Sequence, residues 1–150
     1  MGTTNYKIYT PYRYSKEITK EAFREYFKKD YSKEKLENLR MIDLSSGTGN
    51  LLCIALEKLI KLSKKVFGEY KYYENWITAY DLDKKALDEY RENIENILKK
   101  YNLSGNIKVF LKDSLKTEIS EKFNIVLGNP PYIGEKNNKK IFDEIKETDF

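Results

Sequence analysis

Asn129-Pro130-Pro131-Tyr132 closes the apolar run Asn124-Ile125-Val126-Leu127-Gly128 and joins a rigid turn, a carboxamide and an aromatic face. Proline fixes φ near about −65° and pushes the residue before it out of the helical region, so Asn129 is held extended at a strand's end. The Asn129 side-chain oxygen and the neighbouring carbonyls can accept hydrogen bonds from a planar NH2 group, while Tyr132 can stack on the ring that carries it. An ordinary proline turn leaving a strand would contain the same four residues, so the rest of the chain must decide between the two.

A second constellation is Asp43-Leu44-Ser45-Ser46-Gly47-Thr48-Gly49-Asn50, where a short β-type run gives way to a helical pattern. Its two glycines permit a tight turn and close approach of backbone to a ligand. Leu52 stands where a dinucleotide fingerprint needs a third glycine, and no P-loop lysine follows, so phosphate binding is disfavoured. Asp43 suits a cationic group, which points to a nucleotide-like ligand bearing an ammonium. Asp81, followed by Leu82, ends a second run where α/β nucleotide folds place a carboxylate to accept from ribose hydroxyls. Asp83 is the alternative ribose ligand, but it is better placed as a helix cap. Asp113-Ser114 follows a third run, and Asp113 can accept from an exocyclic amine if it shares the crevice. Polar residues at the ends of four consecutive strands lie at the edge where open α/β sheets bind ligands.

Four β-type runs carry these residues: Arg40 to Leu44, Ile77 to Tyr80, Ile107 to Leu111 and Asn124 to Leu127. Helical spacing separates them. Leu51/Ala55/Leu59 and Leu52/Leu56/Ile60 make one apolar face, and Leu87, Tyr90, Ile94, Ile97, Leu98 and Tyr101 make another with Asp83 as its N-cap. Ser15 to Phe27 reads as a further helix packed on the sheet, preceded by extended Ile8-Tyr9-Thr10-Pro11. Alternating strands and helices give an α/β fold with a parallel sheet and right-handed crossovers. Gly49 to Asp81 exceeds the roughly 20 residues usual between such sites, so the intervening helix and aromatic loop must contain an insertion. Tyr70 to Trp76 reads as a loop or helix extension before the second strand, its aromatics packing at the surface. A short helix is expected around Lys140 to Ile145.

Composition narrows the chemistry further. The chain has 150 residues and no histidine, which removes Ser-His-Asp triads, histidine metal sites and imidazole acid–base catalysis. Its single cysteine, Cys53, excludes internal disulfides and cysteine-cluster metal sites, so no metal is expected and a reducing compartment fits. No secretion signal or membrane-length apolar run is visible, and a cytoplasmic location is expected. A net charge of +4, scattered along the chain, permits a nucleic-acid partner without arguing for one.

Taken in order, Asp43-x-x-x-Gly47-Thr48-Gly49, Asp81, Asp113 and Asn129-Pro130-Pro131-Tyr132 resemble the S-adenosylmethionine-dependent N6-adenine DNA methyltransferases of restriction–modification systems, most closely the type IIG group. The likeness spans nearly the whole chain, with Leu44-Ser45-Ser46 where Pro-Ala-Cys is more usual. It implies a Rossmann-like class I methyltransferase fold with strand order 3-2-1-4 and helices on both faces. It also implies S-adenosylmethionine as cofactor, held by Tyr9, Thr10, Pro11, Asp43, Ser45, Gly47, Thr48, Gly49, Asn50, Asp81, Leu82, Asp113, Ser114 and Asn129, with Tyr9-Thr10-Pro11 closing over its methionine part. Asn129 and the Pro130 carbonyl, set by Pro131, would hold the N6 of an adenine flipped out of double-stranded DNA, with Tyr132 stacked on its ring. A base paired inside a duplex must leave the stack to be modified, and positioning rather than a strong base would then carry the reaction.

Family members continue past this motif with three more strands and a target-recognition region. Residues 1–150 are therefore expected to form a single partial domain: a helical segment over 1–39, a cofactor-binding core over 40–133 and a tail over 134–150. A fourth strand left as an open edge invites a complementary chain or self-association. Asn-Pro-Pro-Tyr also resembles the motif of glutamine-modifying and ribosomal-RNA methyltransferases, and a non-catalytic cofactor-binding module is the third reading.

Overall fold

A computed structural model describes residues 12–116, 119 and 121–128. The order is α1 (Tyr12–Phe27), α2 (Lys33–Asn38), β1 (Met41–Asp43), α3 (Asn50–Phe67), β2 (Ile77–Asp81), α4 (Lys84–Lys100), β3 (Lys108–Leu111) and β4 (Ile125–Leu127). All described pairings are parallel and the sheet runs β3-β2-β1-β4, the arrangement of a Rossmann-like α/β fold. Register aligns the strand ends: Asp43 lies beside Ala79 and Leu127, and Asp81 beside Leu111. Asn124 fastens the opposite end of β1, its side-chain oxygen accepting from the Arg40 N–H at 2.7 Å while its own N–H donates to the Arg40 carbonyl at 2.8 Å.

Neighbouring residues in a parallel register share a face, and Met41, Ile77, Ala79, Ile125 and Leu127 all belong to one buried cluster. Each described helix contributes to that cluster, through Ala22 and Phe27 of α1, Leu36 of α2, the Leu52/Leu56/Ile60 row of α3, and Tyr90, Ile94 and Leu98 of α4. The expectation of helices on the second face falls outside the described residues, as does the helix expected around Lys140 to Ile145.

Local sequence explains the helix ends. Asp83 caps α4, its carboxylate accepting from Lys85 and Ala86 N–H groups at 3.0 and 3.3 Å. Gly68 ends α3 with φ +86 and donates its N–H to the Lys64 carbonyl. α3 is long, and together with the loop to Ile77 it accounts for the extended Gly49–Asp81 spacing.

Two features differ from the sequence reading. The six-residue α2 is additional; Ser32 caps it by accepting from the Lys35 N–H. The aromatic loop before β2 is not a surface feature at its end: Trp76 is completely buried and donates its indole N–H to the Leu36 carbonyl at 2.7 Å. This bond gives the polar tip of a large ring a partner inside the core, and it fixes α2 against the start of β2.

Candidate functional site

The edge formed by the strand C-termini is assembled by the β1–α3 loop. Leu44 N–H donates to the Leu127 carbonyl at 2.9 Å, tying the loop to the tip of β4, and Ser46 N–H donates to the Tyr80 carbonyl at 2.9 Å, tying it to β2. Gly47 and Gly49 then take φ of +56 and +100, the left-handed region where a side chain is strained. Gly49 is the N-cap of α3 without a side-chain cap bond, and its carbonyl accepts from the Cys53 N–H to start the helix.

Two carboxylates sit against this loop. Asp43 is 2% exposed and accepts from the Ser45 N–H at 3.0 Å. Asp81 is 4% exposed; one of its oxygens accepts from Gly47 N–H at 2.7 Å and the other from Asp83 N–H at 2.9 Å. Burial pushes the Asp43 carboxyl up to about 6; the Ser45 N–H opposes this, and the negative charge of Asp81 adds to it. The strand tips therefore bring two buried carboxylates to one place, a surrounding that a cationic, hydroxyl-bearing ligand complements.

The β3 end joins the same edge. Lys112 N–H donates to the Asp81 carbonyl at 3.0 Å, and the next residue, Asp113, uses its carboxylate to accept from Leu115 N–H at 2.9 Å. Leu82, after β2, is 57% exposed and Leu115 47%, which leaves apolar surface beside the carboxylates. Asp43, Ser45, Gly47, Thr48, Gly49, Asn50, Asp81, Leu82, Asp113 and Ser114 thus share one edge of the sheet. Asp83 serves as a cap, as its spacing indicated. Gly128 follows β4 at this edge, whereas Asn129, Pro130, Pro131 and Tyr132, and likewise Tyr9, Thr10 and Pro11, lie outside the described residues.

Sequence reasoning missed two residues of α4. Asn93 donates its side-chain N–H to the Thr48 carbonyl at 3.0 Å, and the Tyr90 ring packs so tightly on Gly49 that a Cβ there would lie 2.5 Å from its Cδ1. Tyr90 was legible only as part of an apolar face. Among the described residues no helix is long and apolar enough to cross a membrane, and no cluster of three metal-ligating side chains occurs.

The sequence model of the Eco57I restriction-modification methylase family matches residues 37–150, most of the chain. The chain belongs to that family. This Eco57I-family chain is also similar to the release factor glutamine methyltransferase of Streptococcus pneumoniae, 35% identical over 111 residues that make up 72% of the chain and 32% of that protein. The enzyme of the same name from Deinococcus radiodurans is 31% identical over 99 residues, covering 66% of the chain and 28% of its own length. The chain spans about a third of the length of the curated relatives it matches. Its fold is similar to that in the crystal structure of SMU.472, assigned as a methyltransferase and complexed with SAH, with TM-score 0.55 and 12% identity over 97% of the chain and 43% of that protein.

Proposed function

We propose that the chain provides the cofactor and amine-holding half of an S-adenosylmethionine-dependent methyltransferase acting on N6 of adenine in DNA. The observation that carries the reading is the pair of buried carboxylates, Asp43 and Asp81, on a two-glycine loop at the strand tips of a chain in a restriction-modification methylase family. When bound, the cofactor supplies a methyl group on a positively charged sulfonium. Asp43 holds its ammonium, Asp81 accepts from its ribose hydroxyls, and Asp113 with Ser114 meets its adenine beside Leu82. Tyr9-Thr10-Pro11 closes the methionine end.

Asn129 and the Pro130 carbonyl accept from the two hydrogens of the target amine and so orient its lone pair, while Tyr132 stacks on the base and Pro131 keeps the turn rigid. In this reading orientation and fixed dipoles rather than a strong base carry the rate enhancement, so the lack of histidine in these 150 residues causes no difficulty. A second reading, methylation of a protein glutamine, draws support from the release factor relatives, since a glutamine amide presents the same planar NH2. The complete protein, radiolabelled S-adenosylmethionine and equal amounts of duplex DNA and release factor separate the two. Label recovered as N6-methyl-2′-deoxyadenosine supports the DNA reading; label confined to release factor overturns it.

A further inference from the structure

We propose that Asn93 of α4, aided by the Tyr90 ring, is a positioning residue that pre-shapes the glycine loop for the cofactor. This rests on the cofactor reading above but not on the identity of the methyl acceptor. Thr48 lies between two glycines in left-handed conformations, so its own sequence gives the loop little stiffness. Contacts to its surroundings hold the loop. Ser46 N–H is drawn to the Tyr80 carbonyl and Gly47 N–H to Asp81, while Gly49 N–H turns back to the Ser46 carbonyl at 2.9 Å. Asn93 adds the contact from α4, pulling the Thr48 carbonyl towards that helix at 3.0 Å across 45 residues of sequence.

Tyr90, one helical turn earlier and fully buried, fills the volume above Gly49 with its ring. Among the described residues its hydroxyl has no hydrogen-bond partner, so the ring makes this contact. α4 also begins immediately after Asp81 and is capped by Asp83, whose N–H donates to the Asp81 carboxylate. One helix therefore fixes both the ribose-facing acid at its start and the loop two turns along. Without Asn93 one residue of the loop, Thr48, must be ordered at the moment of binding, which weakens affinity roughly 5- to 30-fold.

The test is calorimetric binding of S-adenosylhomocysteine to the complete chain carrying Asn93→Asp, which keeps the side chain's shape and removes its donor. Asn96→Asp, the same change at an exposed site one turn along the helix, is the control. The expected result is affinity roughly 5- to 30-fold weaker for Asn93→Asp with a less favourable binding entropy. Its donor KM should rise while kcat at saturation is retained, and Asn93→Gln should recover part of the loss. Should Asn93→Asp fail to fold, amide exchange at Gly47 to Asn50 in Asn93→Gln reads the loop directly, with faster exchange expected. Affinity and exchange equal to those of Asn96→Asp would overturn the proposal. So would a wild-type chain that binds no S-adenosylhomocysteine, whereas binding without methyl transfer to DNA would leave it standing and count against the DNA reading alone.

Discussion

Gly49→Ala is the substitution whose cost the structure specifies most closely. The residue has φ +100, and an added Cβ would lie 2.5 Å from Tyr90 Cδ1, 3.0 Å from its Cε1 and 3.2 Å from Cys53 Sγ. Tyr90 is completely buried, so its ring has no open space into which to withdraw. Left-handed backbone with a side chain costs about 1–2 kcal/mol, and overpacking a filled core adds about 1–3. The sum is roughly 2–5 kcal/mol, a sizeable part of the stability of a domain. Gly68→Ala provides the internal control, because Gly68 has φ +86 with nothing within 4 Å of the added Cβ, leaving the backbone cost of about 1–2 kcal/mol. Urea unfolding of the two variants measures the difference, and Gly49→Ala should have the lower midpoint with an unchanged slope. Equal midpoints would refute the close approach of α4 to the loop.

Asp43→Asn gives a pH-dependent result. The Asp43 carboxyl is raised from 3.8 to about 6 by burial, so the folded state binds more protons than the unfolded one between those values and loses stability as pH rises through that window. At neutral pH the penalty is about 3 kcal/mol, so Asp43→Asn should raise the melting temperature near pH 7.5, leave it little changed near pH 4, and weaken cofactor binding; no stabilisation at pH 7.5 would sink this. Cofactor affinity in the wild type should rise with pH towards 6 and then level off, as calorimetry across that range would reveal. Asn129→Ala should abolish methyl transfer while sparing much cofactor affinity, and Asp81→Ala should weaken cofactor first; equal losses of binding would contradict the division of labour. Trp76→Phe removes the indole donor to Leu36 and should cost roughly 2–4 kcal/mol in urea unfolding without changing cofactor affinity below the transition.

The sheet was legible because each strand is a short apolar run bounded by polar residues, and the helices α3 and α4 because four-residue spacing of Leu, Ile and Tyr marks a buried face. The Asp83 cap followed from an acid placed just before that spacing begins. α2 was not legible, since six residues carrying a single buried leucine show no period. Burial of Trp76 depends on an acceptor 40 residues away, which no local pattern encodes. At the site, Asp43, the two glycines and Asp81 could be read from their types at strand ends. Their mutual hydrogen bonds could not, because they arise only when register brings β1 and β2 together. Asn93 was invisible for the same reason: a polar residue on the flank of an amphipathic helix looks solvated until the loop it touches is in place.

A crystal structure of the complete chain with S-adenosylhomocysteine tests the account most directly. The ligand's ammonium should lie within hydrogen-bond distance of Asp43 and its ribose hydroxyls on Asp81, with Asn129 facing the sulfur across the strand tips. A ligand seated away from both carboxylates, with the β1–α3 loop taking no part in holding it, would contradict it.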